Sequence, residues 1–292
     1  MTITTMLDYE FIRYGLICAV VVGLCAPTVG TFIVQRRLAL LGDGLGHVAI
    51  TGVAVGLLTS TQPLWTTLIA TVSAAVITEL LRTYSKASGD VALALMFYGG
   101  IAGGVFLTSL ASDKGVANLH SYLFGSLMTT TREDAVAIGV GGAAVVVLMV
   151  LLLPWLSSIS IDETYARASG VPVMALNMLL LCTAAVVVSV SMRVVGLLLV
   201  SALLVIPVVT AAQIGRSFKS TFVLAMIAGA LVGGGGVVVS ALLFVPAGAT
   251  IVLLGIALFV LVTVAAALAR LVSKNRRGGP AKADAISLSS AD

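Results

Sequence analysis

Residues 38–58 read LALLGDGLGHVAITGVAVGLL, an apolar or small-residue stretch interrupted by one acid and one imidazole, Asp43 and His47. Its length matches the ~20 residues that a membrane-crossing helix needs. A carboxylate at the centre of such a helix costs roughly 2.5–3.5 kcal/mol on insertion scales, so acids of this kind face a protein interior, a water-filled cavity or an ion path. The spacing of four places Asp43 and His47 on one helical face. One oxygen and one nitrogen donor aimed at a common point form half of a site for a divalent transition metal. A hydrogen-bonded pair that fixes helix packing is the alternative for the same spacing.

Working outward, the whole chain shares this character. It is 60% hydrophobic and 10% charged, with mean hydropathy +1.17, whereas soluble domains carry about 25% charged residues. Backbone groups in lipid must be satisfied internally, which leaves helices or a closed barrel, and the ~10-residue alternation of barrel strands is missing. The fold class is therefore all-α: a polytopic transmembrane helix bundle of eight or nine spans. The runs lie near 10–34, 38–59, 63–84, 90–110, 134–155, 173–192, 195–213, 220–243 and 248–271. With the N-terminus outside, twelve of the sixteen basic residues fall on the inner side, Arg36, Arg37, Arg82, Arg167 and Arg216 among them, as the positive-inside rule requires. The segment 111–133 is too polar to span, and Leu119 to Met128 suits a short amphipathic or re-entrant helix at the outer surface. Residues 1–272 form the transmembrane domain, and 273–292, rich in Gly, Ala, Ser and charge, read as a disordered cytoplasmic tail.

Several function classes drop out. The net charge of +4 is spread over loops, so there is no nucleic-acid footprint. No G-x-x-x-x-G-K-[ST] phosphate loop and no H-E-x-x-H occurs, which removes an ATPase of that type and a zincin-type protease. With the buried acid and imidazole in a membrane helix, the expectation is a transport component rather than an enzyme. Cys18, Cys25 and Cys182 lie in apolar runs without C-x-x-C spacing and read as buried small residues. Met1 to Glu10 lacks the basic start of a signal peptide, so the first helix is retained. Gly52 and Gly56, and Gly99 to Gly104, have the small-x-x-x-small spacing of close helix contacts. Gly42, Gly44 and Gly46 keep the surface around Asp43 thin, open to a second subunit's helix. The run Gly233 to Gly236 and Pro207 are expected to kink or loosen their helices, with close backbone approach of a neighbour, rather than a mobile gate, the favoured use.

One chain offers two obvious ligands, while zinc takes four. A twofold homodimer supplies the deficit with two copies of Asp43 and His47. If the helix starts just after Arg37, Asp43 lies ~9 Å and His47 ~15 Å deep in a ~30 Å core.

These residues resemble a known family. Gln35-Arg36-Arg37, followed by Gly42-Asp43, His47 and Gly52, look like the second-helix signature of permease subunits of bacterial ABC importers for zinc and manganese. The resemblance extends over roughly residues 9–272. It takes in Ser121-Tyr122-Leu123-Phe124-Gly125, the loop from Asp162 to Gly170-Val171, Val195 to Pro207, and Pro246-Ala247-Gly248.

The resemblance implies a homodimeric permease in the bacterial cytoplasmic membrane, ATP-binding cassette subunits on its inner face, and an extracytoplasmic metal-binding protein that delivers cargo. It implies that Asp43 and His47 hold the metal in passage, with zinc first, manganese next and iron(II) also compatible, and no permanently bound cofactor. It turns Asp162, Glu163, Tyr165 and Arg167, otherwise readable as a solvated connector, into contacts for the ATPase. His120 and Glu79 are secondary pathway candidates, set against a surface or interhelical histidine and an ion pair with Arg82. Relatives often carry an acid two positions before the Pro-x-Gly turn where this chain has Phe244, so its outer mouth attracts cations less strongly. The competing reading, a secondary ion-coupled divalent metal transporter without an ATPase, normally needs carboxylates in several helices, and mid-span acids here are nearly confined to Asp43.

Overall fold

The computed structural model describes residues 9–84, 89–110, 125 and 130–277. Ten helices and no strand occur among the described residues: α1 (Glu10–Gln35), α2 (Leu41–Leu58), α3 (Pro63–Tyr84), α4 (Gly89–Leu110), α5 (Arg132–Ile161), α6 (Glu163–Ala168), α7 (Val173–Val195), α8 (Leu197–Ile214), α9 (Phe218–Leu243) and α10 (Ala247–Arg277). Eight are long and apolar enough to cross a membrane, and the apolar part of α8, Leu199–Ile214, is shorter. The all-α polytopic bundle expected from composition is the architecture observed.

Helix boundaries follow local chemistry that the hydropathy runs blur. Helix α5 begins at Arg132 because Thr131 and Asp134 form a reciprocal capping box, and α9 begins at Phe218 because Ser217 and Ser220 do the same. At the other end α5 runs through Pro154 to Ile161, six residues past the expected end at Trp155. Helix α10 continues to Arg277, so the expected start of the tail at 273 falls inside a helix; residues 278–292 lie outside the described residues.

Close approach of glycines builds the centre. A Cβ on Gly23 would stand 2.4 Å from the carbonyl oxygen of Gly229, and one on Gly233 2.5 Å from that of Ala19. Helices α1 and α9 therefore run antiparallel and touch backbone to backbone at their midpoints. Helix α9 continues through the Gly233 to Gly236 run, whose bare backbone lets Ala19 and Ile251 pack directly on it, the close approach that the small residues allowed. Helix α8 likewise runs unbroken through Pro207.

Between α7 and α8 a single residue, Gly196, ends one helix and starts the next with φ 88° and ψ 152°. That conformation is open essentially to glycine alone. Gly125, from the segment joining α4 to α5, lies against this junction: a Cβ on it would meet Val195 C at 2.6 Å. The rest of the outer helix expected over Leu119 to Met128, His120 included, lies outside the described residues.

Two alanine substitutions should have opposite signs in thermal unfolding of the detergent-purified protein. Gly196→Ala forces a side chain into a glycine-only conformation and should destabilise by about 1–3 kcal/mol. Gly139→Ala, in helix α5 with no atom within 4 Å of the added carbon, should stabilise by roughly 0.5–1 kcal/mol.

Candidate metal path and inner docking face

The turn before α2 determines where Asp43 and His47 lie. Arg37 adopts φ 60° and ends α1, and the N–H of Leu38 returns to the carbonyl of Ile33. Residues 36–40 are spent on this reversal, so α2 starts at Leu41 rather than just after Arg37. Its N-cap, Leu40, provides no side-chain cap, and Asp43 in the first turn supplies the negative charge that the helix N-terminus favours.

Contacts with α8 give the depth. A Cβ on Gly46 would overlap Leu197 at 1.7 Å, and one on Gly42 would meet Leu204 Cδ1 at 2.9 Å, so α8 runs antiparallel to α2 and in the direction of α1. Leu204 also abuts Gly30 of α1. Gly42 thus stands roughly 7 Å above the last residue of α1 at 1.5 Å per residue. Leu197, two turns further up α8, is level with about Gly23, the midpoint of α1. His47, beside Gly46, sits near mid-height of the bundle, as the sequence suggested, although α2 begins later than expected because its first turn is itself raised above the end of α1.

The glycines around Asp43 have a different use from the one expected. Gly42 and Gly46 are filled by α8, and Gly44 by Met96 of α4, whose Cε lies 2.4 Å from an added Cβ. They seat α2 inside its own chain and do not leave a surface for a second subunit. The open face of α2 is a different stripe. Leu41, Gly42, Gly44, Leu45, Gly46, Ala49 and Ile50 are buried, while Asp43, His47 and Thr51 are half-buried at successive four-residue steps.

Helix α4 fixes this stripe from the side. The Phe97 ring meets the His47 imidazole edge to face, centroids 4.8 Å apart at 83°. Thr51 Oγ1 donates to the carbonyl of Gly100 at 2.9 Å. Gly100 permits that approach, since a Cβ there would stand 2.7 Å from the Val48 nitrogen. Asp43 lies within electrostatic reach of the His47 ring. Among the described residues no cluster of three or more His, Cys, Asp and Glu forms, and Asp43 and His47 are the ones on this face of α2.

Glu79, a secondary candidate, is 2% exposed and accepts from Arg82 Nη1 at 2.8 Å. Asp162, Glu163, Tyr165 and Arg167 come together on α6. Asp162 caps that helix by accepting from the Tyr165 N–H at 3.0 Å, Glu163 pairs with Arg167 at 3.0 Å, and Ala166 alone is buried against the bundle. Tyr165 is 68% exposed at the end of the bundle where α1, α3 and α5 finish and α7 begins.

Comparison with known proteins places this architecture. The model of the ABC 3 transport family matches residues 8–266. The chain belongs to that family. Among relatives of this ABC 3 chain, the high-affinity zinc uptake system membrane protein ZnuB of Haemophilus influenzae is 30% identical over 255 residues, covering 87% of the chain and 97% of the relative. The manganese transport system membrane protein MntC of Halalkalibacterium halodurans is 30% identical over 261 residues, covering 88% and 87%. The solved structure of PsaBC from Streptococcus pneumoniae in complex with Fab superposes with a TM-score of 0.76 at 29% identity, covering 89% of this chain and 95% of that one. The chain is thus a multi-pass membrane permease of the ABC type, a transport component, with the helical architecture of its family.

Sequence reading missed three neighbours of the pair in this ABC 3 permease. Thr51 was recoverable, since it continues the four-residue register of Asp43 and His47. Phe97 and Ser201, whose buried hydroxyl beside Gly42 has no hydrogen-bond partner, come from other helices and carry no local signal. For Glu79, the ion pair makes a specific expectation. Glu79→Ala leaves Arg82 without its counter-charge and should destabilise by about 3 kcal/mol in thermal unfolding, part of which Glu79→Ala/Arg82→Ala recovers. An unchanged midpoint in the single variant would show that pairing is not its role.

Proposed function

We propose that this permease passes a divalent transition metal, zinc first and manganese next, across the cytoplasmic membrane into the cell, with Asp43 and His47 as its ligands in transit. The supporting observation is the half-open stripe at mid-height: an acid and an imidazole one turn apart, supported from three sides by their own chain and lacking further ligands on the fourth. A second copy related by a twofold axis, facing that side, completes two oxygens and two nitrogens, the number that zinc takes. The names of the zinc and manganese relatives support this cargo class; carboxylate and imidazole suit both ions.

In this reading ATP-binding cassette subunits dock on α6 through Glu163, Tyr165 and Arg167, with Asp162 holding the helix start, and an outer metal-binding protein delivers the cargo. Nucleotide-driven closure moves α6, and the two permeases rock so that the Asp43/His47 cluster opens to each side in turn. Pro207, which removes one backbone hydrogen bond from α8, is the hinge that lets α8 follow α2 through the Gly42 and Gly46 contacts. A secondary transporter is disfavoured because Glu79, the buried acid of α3, is engaged by Arg82.

Zinc uptake into proteoliposomes holding the complete importer, with and without ATP, tests the ligand assignment. Asp43→Asn and His47→Ala should each lower ATP-dependent uptake at least about tenfold, as loss of one ligand from a small set does, and manganese added in competition ranks the two cargoes. Uptake that persists without ATP would overturn the importer reading. Docking has a separate readout. Tyr165→Ala should lower co-purification of the ATP-binding subunit about tenfold, a loss typical of an aromatic anchor, while leaving the permease folded.

A further inference from the structure

The inner end of the bundle contains charge that the proposed route does not use. Arg36 leaves the last turn of α1 and donates from Nη1 to the side-chain oxygen of Asn177 in α7. Asn177 is buried, so this bond ties the α1–α2 turn to the first turns of α7, a few residues downstream of the docking helix. The remaining donors of Arg36, Nε and Nη2, are buried and have no acceptor. Buried guanidinium donors left unsatisfied are costly, and a group kept in that condition points to an acceptor that arrives in another state.

Three charged groups lie within electrostatic reach of Arg36: Glu163, Arg82 and Glu79. Burial lowers the tendency of Arg36 to hold its charge, and Glu163 opposes this more strongly than Glu79 does. Glu79 is held in the interior by Arg82, whose own Nε is buried without an acceptor beside Gly89. Glu163 is different. Its partner Arg167 is a solvent-exposed neighbour on the same short helix, and exposed pairs of that kind hold a carboxylate weakly. Glu163 is therefore the acid free to leave Arg167 and the docking surface when α6 moves, with Tyr165 and Arg167 staying as the contacts there. Arginine suits the exchange, because its planar fork can keep Asn177 on one nitrogen and receive a carboxylate on the others.

We propose that Arg36 is the positioning residue that transmits movement of α6 to the α1–α2 turn, and so to Asp43 and His47, by taking the Glu163 carboxylate on its unfilled donors while remaining bonded to Asn177. The inference rests on the reading of α6 as the docking helix and of Asp43 and His47 as transit ligands. Its content is that the link is a specific side chain and not general stiffness of the bundle.

The test uses the complete importer in proteoliposomes with zinc, and reads zinc moved per ATP hydrolysed. In Arg36→Gln the ratio should fall at least about tenfold while ATP hydrolysis stays within about twofold of wild type, and zinc bound per permease in detergent should be unchanged. Arg36→Lys, which keeps the charge but not the fork, should lie between, and it carries the same test if Arg36→Gln does not assemble. An unchanged ratio, or transport and hydrolysis falling in proportion, would overturn the proposal. The Tyr165→Ala pull-down separates the two levels: if the ATP-binding subunit stays bound there, the docking reading fails. If it is lost there while Arg36→Gln keeps a normal ratio, the transmission role alone fails.

Discussion

An acid and an imidazole within a membrane-crossing helix are tolerated only where lipid is kept away from them, and the packing around α2 meets that requirement. Helix α2 is enclosed by α8 through Gly42 and Gly46, by α4 through Gly44, and by α3 through Gly52 and Gly56. Each contact brings a neighbour to within the distance that a methyl group would occupy. What remains open is one stripe bearing Asp43, His47 and Thr51. The same packing that hides the backbone of α2 thus selects which side chains face outward.

Close packing by glycine also decides rigidity. Lipid tails are as apolar as leucine, so helices in a membrane gain little from hydrophobic burial against one another and rely on van der Waals fit. Backbone contact at Gly23 and Gly229 locks α1 to α9, and Leu204 reaches both Gly30 and Gly42. Leu197 and Leu204 of α8 thereby pack directly on Gly46 and Gly42 of α2.

The inner end contrasts with this interior. There the contacts are polar, involve Arg36, Asn177, Glu79 and Arg82, and leave three guanidinium nitrogens buried without acceptors. Helix α6 projects beyond them, anchored by Ala166 and exposing Tyr165. An apolar contact is satisfied in one arrangement; a charged group with spare donors can be satisfied in two. Such groups lie between a surface helix and the turn that begins α2.

Hydropathy, charge asymmetry and four-residue periodicity are local quantities, and from them the class, most of the helical spans and the placing of Asp43 and His47 on one helix face could be read. The sequence also carried the caps at Thr131 and Ser217 and the ingredients of α6. It could not say which neighbour a glycine would admit, and so opened Gly42, Gly44 and Gly46 to a second subunit where α8 and α4 of the same chain fill them. Those outcomes depend on what lies opposite. The same holds for Phe97, Ser201 and the bond from Arg36 to Asn177, each of which joins residues far apart along the chain. Only the tertiary structure decided which face of α2 stays open and how high it stands, since both are set by contacts between helices rather than by any property of α2 alone.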